Sequence, residues 1–332
     1  MGIRVSGIGT YVPAKRVTNA DLSMKIDTSH EWIAAKTGIL ERRIAADDEA
    51  PSDMAVQAAL RCLEQAGVDE TAVELIIVAC ATPDQSQPAV ACLVQEKLGV
   101  SQGRCPAFDV NSVCSGFVFA LNVAQGMMLT EPARYHHVLV IGADAFSKIL
   151  NWRDRRTCVF FGDGAGAVLL SQCFDNGDDE RRFHFLLGSD GRGHRHIEVP
   201  GGGTRLPASA DVLERRLNTF AMNGPKVWEF AVSTVPETVR SLLAERGLTT
   251  ADLDLLILHQ SNLRMLEAIM AELDLPMEKT VTTLETYGNT AAASIPLTLQ
   301  KASDEGRLRP GARVMLCGFG GGLSWGAALI DW

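Results

Sequence analysis

Two stretches of this chain carry the same pattern of apolar and polar positions. Leu63 to Cys80 reads LEQAGVDETAVELIIVAC and Leu243 to Gln260 reads LAERGLTTADLDLLILHQ, aligning without a gap at an offset of 180 residues. Leu63 falls on Leu243, Gly67 on Gly247, Leu75 on Leu255 and Ile77 on Ile257. Each stretch predicts a helix end closed by glycine, a short polar turn and an unbroken apolar strand. A strand without polar alternation is buried on both faces, so each stretch predicts a sheet covered by helices.

The segments that follow agree in kind. The first half predicts a helix near Pro88–Leu98, a strand Pro106–Val110, a helix opening at Cys114, a strand His137–Gly142 and a last strand Ala165–Leu170. The second predicts a helix Leu263–Leu273, a strand Thr280–Leu284, a helix Ala291–Ser303, a strand Arg313–Cys317 and a last strand Gly326–Ile330. Alternation of this sort builds mostly parallel sheets with right-handed crossovers. Two such halves, 1–172 and 173–332, predict a duplicated α/β body of five layers, α/β/α/β/α.

Duplication also predicts where chemistry gathers, since ligands in α/β sheets bind beyond the carboxyl ends of strands. Cys114 lies just past one such end, at the first turn of a predicted helix, where unpaired N–H groups and the positive end of the dipole favour the thiolate. His259 follows the strand Leu255–Leu258, and Asn289 follows Thr280–Leu284 through Tyr287 and Gly288.

Composition narrows the class. A net charge of −9 argues against a nucleic-acid binder, which needs a basic face. The 46% hydrophobic and 21% charged content is that of a soluble enzyme. No 18-residue apolar run is read from the pattern, and the N-terminus enters a strand-like segment directly, predicting neither leader nor membrane anchor. The eight cysteines include no C-x-x-C pair and sit mostly in apolar runs, the usage of a reduced, cytoplasmic protein rather than of a disulfide framework or zinc site. Neither His136 with His137 nor His194 with His196 has partners at metal-ligand spacing, so no metal is expected. Gly162-Asp163-Gly164 is followed by no lysine and is not a P-loop.

Several longer motifs occur in order. They are Thr28-Ser29-His30-Glu31-Trp32-Ile33, Phe161-Gly162-Asp163-Gly164-Ala165-Gly166-Ala167, His259-Gln260-Ser261-Asn262-Leu263-Arg264, Tyr287-Gly288-Asn289-Thr290-Ala291-Ala292-Ala293-Ser294 and Gly318-Phe319-Gly320-Gly321-Gly322-Leu323-Ser324-Trp325-Gly326. Over essentially its whole length the chain resembles the β-ketoacyl-acyl-carrier-protein synthase III family, the initiating condensing enzymes of the thiolase superfamily. The resemblance implies a thiolase-like fold and a catalytic triad of Cys114, His259 and Asn289, with an oxyanion hole from the backbones of Cys114 and Gly321. It implies that Cys114 takes an acyl group from an acyl-CoA. A malonyl thioester, carried by acyl carrier protein or by CoA, then decarboxylates and condenses with it, with no metal or redox cofactor.

The same resemblance assigns coenzyme contacts. Trp32 and Arg155 correspond to an adenine-stacking pair, Asn262 to a position near the pantetheine, and Arg264 to a tunnel-mouth arginine. Lys36 replaces the usual arginine near the phosphates, keeping the charge but losing the bidentate fork. Two departures bear on substrate. The helix after His259, usually basic for an acidic carrier protein, holds Arg264 with Glu267 and Glu272, and Glu229 adds negative charge nearby. This disfavours such docking and leaves two alternatives, a carrier that uses Arg153, Arg156, Arg215, Arg216 or Lys226, or malonyl-CoA as extender. In the family, a homodimer, position 87 walls the partner's acyl pocket with an apolar residue. Here it is Gln87, compatible with a polar, larger or aromatic acyl group. Two other functions share these residues: transfer of the Cys114-bound acyl group to an oxygen or nitrogen acceptor, and a non-catalytic partner subunit.

Overall fold

The structure, a computed structural model, describes residues 2–100, 103–173 and 182–332. The first sheet holds β1 (Gly2–Tyr11), β2 (Leu75–Ala79), β3 (Ala107–Val110), β4 (His137–Asp144) and β5 (Gly164–Cys173), in the order β1-β5-β4-β2-β3. The second holds β6 (His184–Ser189), β7 (Leu255–Leu258), β8 (Arg313–Gly320) and β9 (Ser324–Asp331), in the order β6-β9-β8-β7. The two orders correspond strand for strand from the outer antiparallel edge inward.

The repeated apolar runs become β2 and β7, buried at every residue. Alternate side chains enter different cores. Leu75, Ile77, Leu255 and Ile257 face the middle of the molecule, where α3 (Gly116–Thr130) and α6 (Ser294–Asp304) lie between the sheets. Ile76 and Val78 face α1 (Pro51–Ala66) and α2 (Val90–Leu98) on one outer surface. Leu256 and Leu258 face α4 (Gly224–Glu245) and α5 (Leu263–Glu272) on the other. The result is the five-layer α/β/α/β/α thiolase fold. The stretch Val113–Thr130, which includes α3, is an 18-residue run long and apolar enough to cross a membrane, contrary to the sequence reading. It meets the middle core instead, through Phe117, Val118, Leu121, Ala124 and Met128.

Two further expectations change. The sheets are mixed rather than mostly parallel: β2 runs parallel to β3 and β4, and β7 to β8, but the β4–β5, β1–β5, β8–β9 and β9–β6 pairs are antiparallel. The β8–β9 connection is a three-residue turn, Gly321 to Leu323, which admits only a hairpin. Residues 280–284 form no strand. They run beside β7, but side chains make the links: Thr280 Oγ1 donates to Leu256 O (2.6 Å), and Gln260 Oε1 accepts from Thr283 N–H (2.9 Å). Leu284–Tyr287 then coils into one helical turn that brings the chain to Asn289.

Candidate active site

Cys114 sits in a short 3₁₀ turn, Val113–Ser115, between β3 and α3. Val113 takes φ +46°, a left-handed conformation that costs a β-branched residue on the order of 1–3 kcal/mol. The second half repeats this turn at an offset of 178: Asn111-Ser112-Val113-Cys114 corresponds to Asn289-Thr290-Ala291-Ala292. Ala291 also has positive φ, +48°. In each turn the asparagine Oδ1 accepts the N–H two residues on, Val113 at 3.2 Å and Ala291 at 2.9 Å. Asn289 is held further by its N–H to Phe160 O (2.8 Å) and its carbonyl to Gly162 N–H (3.0 Å). With Oδ1 engaged, the Asn289 NH₂ is the end left for a ligand.

The sulfur is closely enclosed. A Cβ on Gly320 would lie 2.8 Å from Cys114 Cβ and 3.1 Å from its Sγ, so only glycine lets the end of β8 come this near. Gly321 follows beside Val113. Its carbonyl accepts from Ser324 Oγ (2.6 Å), which is 2.8 Å from Ser115 Oγ, so hydroxyl groups tie the glycine turn to the cysteine turn. Burial, aided by the Asp144 carboxylate, pushes the Cys114 thiol well above its ordinary pKa. The helix terminus alone predicted the opposite direction; desolvation outweighs it.

His259 directly follows β7, its N–H bonded to Cys317 O (2.8 Å). Its ring is 2% exposed, edge-on to Phe319 at 5.3 Å, with Nδ1 2.7 Å from Ser294 Oγ. Burial pushes its pKa down to about 3, so the imidazole is neutral at physiological pH.

Cys114, His259 and Asn289 line one cavity of ≈ 290 Å³. Its buried end is walled by Phe146, Phe161 and Phe220, whose rings meet at 4.8–5.5 Å, and by Phe319. Trp32, Lys36, Asn262 and Arg264 line it too, with Lys36 and Arg264 exposed at its mouth. Asn262 also caps α5 through Met265 N–H (3.0 Å). Arg155 stacks on Trp32 at 5.3 Å but does not line the cavity; its neighbour Arg156 does. Gln87 is exposed and away from the cavity of its own chain. Ser294, Ser324, Phe146 and Phe220 carry no signal of their own in the sequence. Ser294 and Ser324 lie inside the motifs quoted above, as do Phe161 and Phe319; Phe220 and Met222 reach the cavity from a two-residue strand, Ala221–Met222, and the residue before it, which have no distinctive pattern.

A sulfur on a strained strand-to-helix turn, facing a histidine and an asparagine delivered by the other half of a duplicated five-layer body, defines a condensing acyltransferase of the thiolase fold. Residues 108–191 match the family model of 3-oxoacyl-[acyl-carrier-protein (ACP)] synthase III, and 243–332 that of its C-terminal part. The chain belongs to this family. The β-ketoacyl-[acyl-carrier-protein] synthase III of Symbiobacterium thermophilum is 44% identical over 99% of this chain and 98% of its own. That of Neisseria meningitidis serogroup C is 44% identical over 99% of both. The crystal structure of the Thermus thermophilus synthase III superposes with a TM-score of 0.89 at 39% identity, covering 100% of this chain and 99% of that one.

Proposed function

We propose that the enzyme joins an acyl-CoA starter to a malonyl thioester through an acyl group carried on Cys114. The observation that carries this reading is the convergence of Cys114, His259 and Asn289, from three separate elements, on one cavity. The Cys114 sulfur attacks the starter thioester, and its proton leaves on the departing coenzyme A thiol. The N–H groups of Cys114 and Gly321 receive the transient oxyanion. The malonyl thioester then loses CO₂, and the electron pair of the broken C–C bond moves onto the thioester oxygen as an enolate. A neutral His259 and the NH₂ of Asn289 donate to that oxygen. The enolate carbon attacks the acyl group, releasing a 3-oxoacyl thioester and a Cys114 thiolate that is reprotonated from solvent. The balance closes with thioesters alone, without a metal or redox cofactor.

Trp32, Lys36, Arg155, Asn262 and Arg264 contact the coenzyme in this reading. The enzyme acts in the cytoplasm as a homodimer, with Gln87 of each copy beside the acyl pocket of the other. The extender is carried by acyl carrier protein or by CoA. Arg264 pairs with Glu267 (2.9 Å), Arg156 with Asp154 (2.9 Å) and Lys226 with Glu229 (2.7 Å), which lowers the free positive charge offered to an acidic carrier.

Incubation with a panel of acyl-CoAs, followed by mass measurement at Cys114 and a chase with malonyl-CoA or malonyl carrier protein, tests the reading. A discharged adduct with CO₂ release and a product two carbons longer is expected. An adduct that neither malonyl thioester discharges would sink it, and so would a Cys114→Ser variant acylated at the normal rate.

A further inference from the structure

We propose that Ser294 is a positioning residue: its hydroxyl donates to Nδ1 of His259 and holds the ring proton on Nε2, facing the cavity. This deepens the condensation reading and rests on it. Ser294 opens α6, is 0% exposed, and stands 2.7 Å from the ring nitrogen. It occupies the place that Gly116 holds in the first half, 178 residues earlier, so the hydroxyl is a feature of the second turn alone.

The direction of this hydrogen bond follows from what else each group can reach. A neutral imidazole carries one N–H. If Nδ1 carried it, the Ser294 hydroxyl would accept, and its own hydrogen would need a second acceptor. Among the described residues the Ser294 Oγ has no partner other than His259 Nδ1. The nearby Thr298 hydroxyl donates to Ser294 O at 2.8 Å and pairs with Thr283 Oγ1 at 3.0 Å, not with Ser294 Oγ. A buried hydroxyl hydrogen without an acceptor is unfavourable. If Ser294 donates, its hydrogen and Nδ1 satisfy each other, and the single ring proton lies on Nε2. The Phe319 ring, edge-on to His259, limits rotation. With Nε2 protonated, His259 serves the enolate oxygen as a donor and does not act as the base for Cys114.

A ¹⁵N–¹H spectrum of the labelled protein at pH 7.5, correlating ring nitrogens with ring C–H protons, reads the tautomer directly. The His259 signals are identified by their loss in His259→Gln. Protonated Nε2 and unprotonated Nδ1 are expected; the reverse overturns the proposal. In Ser294→Ala, kcat for condensation should fall at least about tenfold, part of the roughly 100- to 1,000-fold that deleting one oxyanion donor costs. KM for the malonyl thioester should stay within about threefold, acylation of Cys114 within about twofold, and Ser294→Thr should recover much of the loss. An unchanged kcat, or an equal fall in both half-reactions, would count against positioning. If Ser294→Ala does not fold, the wild-type spectrum decides alone. If the wild-type acyl-enzyme is never discharged by malonyl thioesters, the condensation reading fails while the spectrum still decides the role of Ser294.

Discussion

The Cys114 thiol stands at a helix start, where backbone N–H groups favour a thiolate, yet it rests protonated because burial and the Asp144 carboxylate act against ionisation. Its address was legible in the sequence, since a strand, a break and an apolar helix are local features. Its ionisation was not, because Gly320 closes over it from 206 residues away. His259 shows the same division, with consequences for acid stability. Its folded pKa, about 3, lies below the unfolded value near 6.5. The unfolded chain therefore binds a proton that the folded chain refuses, and stability is fully present above pH 6.5 and lost as pH falls through that value toward 3. Asp144 works in the opposite sense, its folded pKa raised by burial to about 6, so its contribution grows as pH falls from about 6 to 4. Comparing wild type with His259→Gln isolates the histidine. Between pH 6.5 and 5 the wild type should lose more stability, with a limiting slope of about 1.4 kcal/mol per pH unit. Urea denaturation at a series of pH values measures it; parallel curves would refute a buried neutral His259.

The two strand-to-helix turns are one device used twice. In the first, the Cys114 N–H is offered to a substrate oxyanion in our reading. In the second, the matching Ala292 N–H already binds an anion, the Asp144 Oδ2 at 3.0 Å. Asp144 Oδ1 accepts from Ala81 N–H, Thr82 N–H and Thr82 Oγ1 at 2.8–3.1 Å, and from the Cys80 thiol at 3.8 Å. Asp144 ends β4 as Gly320 ends β8, so carboxylate fills in one half the space left open in the other. This correspondence was hard to read from the letters. Only Asn111 and Asn289 are identical across the two four-residue turns, and the shared feature is a backbone angle. The expected strand at 280–284 failed for a related reason. Its run of threonine and valine suits a strand, but the chain must turn there to deliver Asn289, and Thr280 and Gln260 side chains replace the ladder. Asp144→Asn keeps the shape but turns an amide NH₂ toward Ala292 N–H. Stability should fall by about 1–3 kcal/mol, the cost of an unsatisfied buried donor. Condensation should slow more than acylation of Cys114, because Asn289 and Ser294 ride on the affected turn. Single-turnover assays of the two steps would show it, and equal slowing would contradict it.

The five-layer body was visible in the repeat, because unbroken apolar strands require cover on both faces. How the halves dock was not, since docking rests on glycines whose neighbours lie far along the chain. A Cβ on Gly142 in β4 would fall 2.3 Å from Ala292 O, and one on Gly318 in β8 would fall 2.9 Å from Ser115 Cα. Each half thus sets its turn against a glycine in the other half's central strand. The obstruction is backbone in both cases, so no side chain can rotate aside to relieve it. Gly142→Ala should therefore move the turn that carries Asn289 and Ser294, destabilising the protein by about 1–3 kcal/mol or more and lowering condensation with it. Gly126 is the control. It lies on an exposed face of α3 with nothing within 4 Å of its would-be Cβ. Gly126→Ala should stabilise by about 0.5–1 kcal/mol, since alanine loses less conformational freedom in a helix. Denaturation midpoints and condensation rates of the two variants, measured side by side, test whether glycine at the seam sets the distance between the halves. A Gly142→Ala protein as stable and active as wild type would mean that the halves have slack and that the turns are held by something other than this contact.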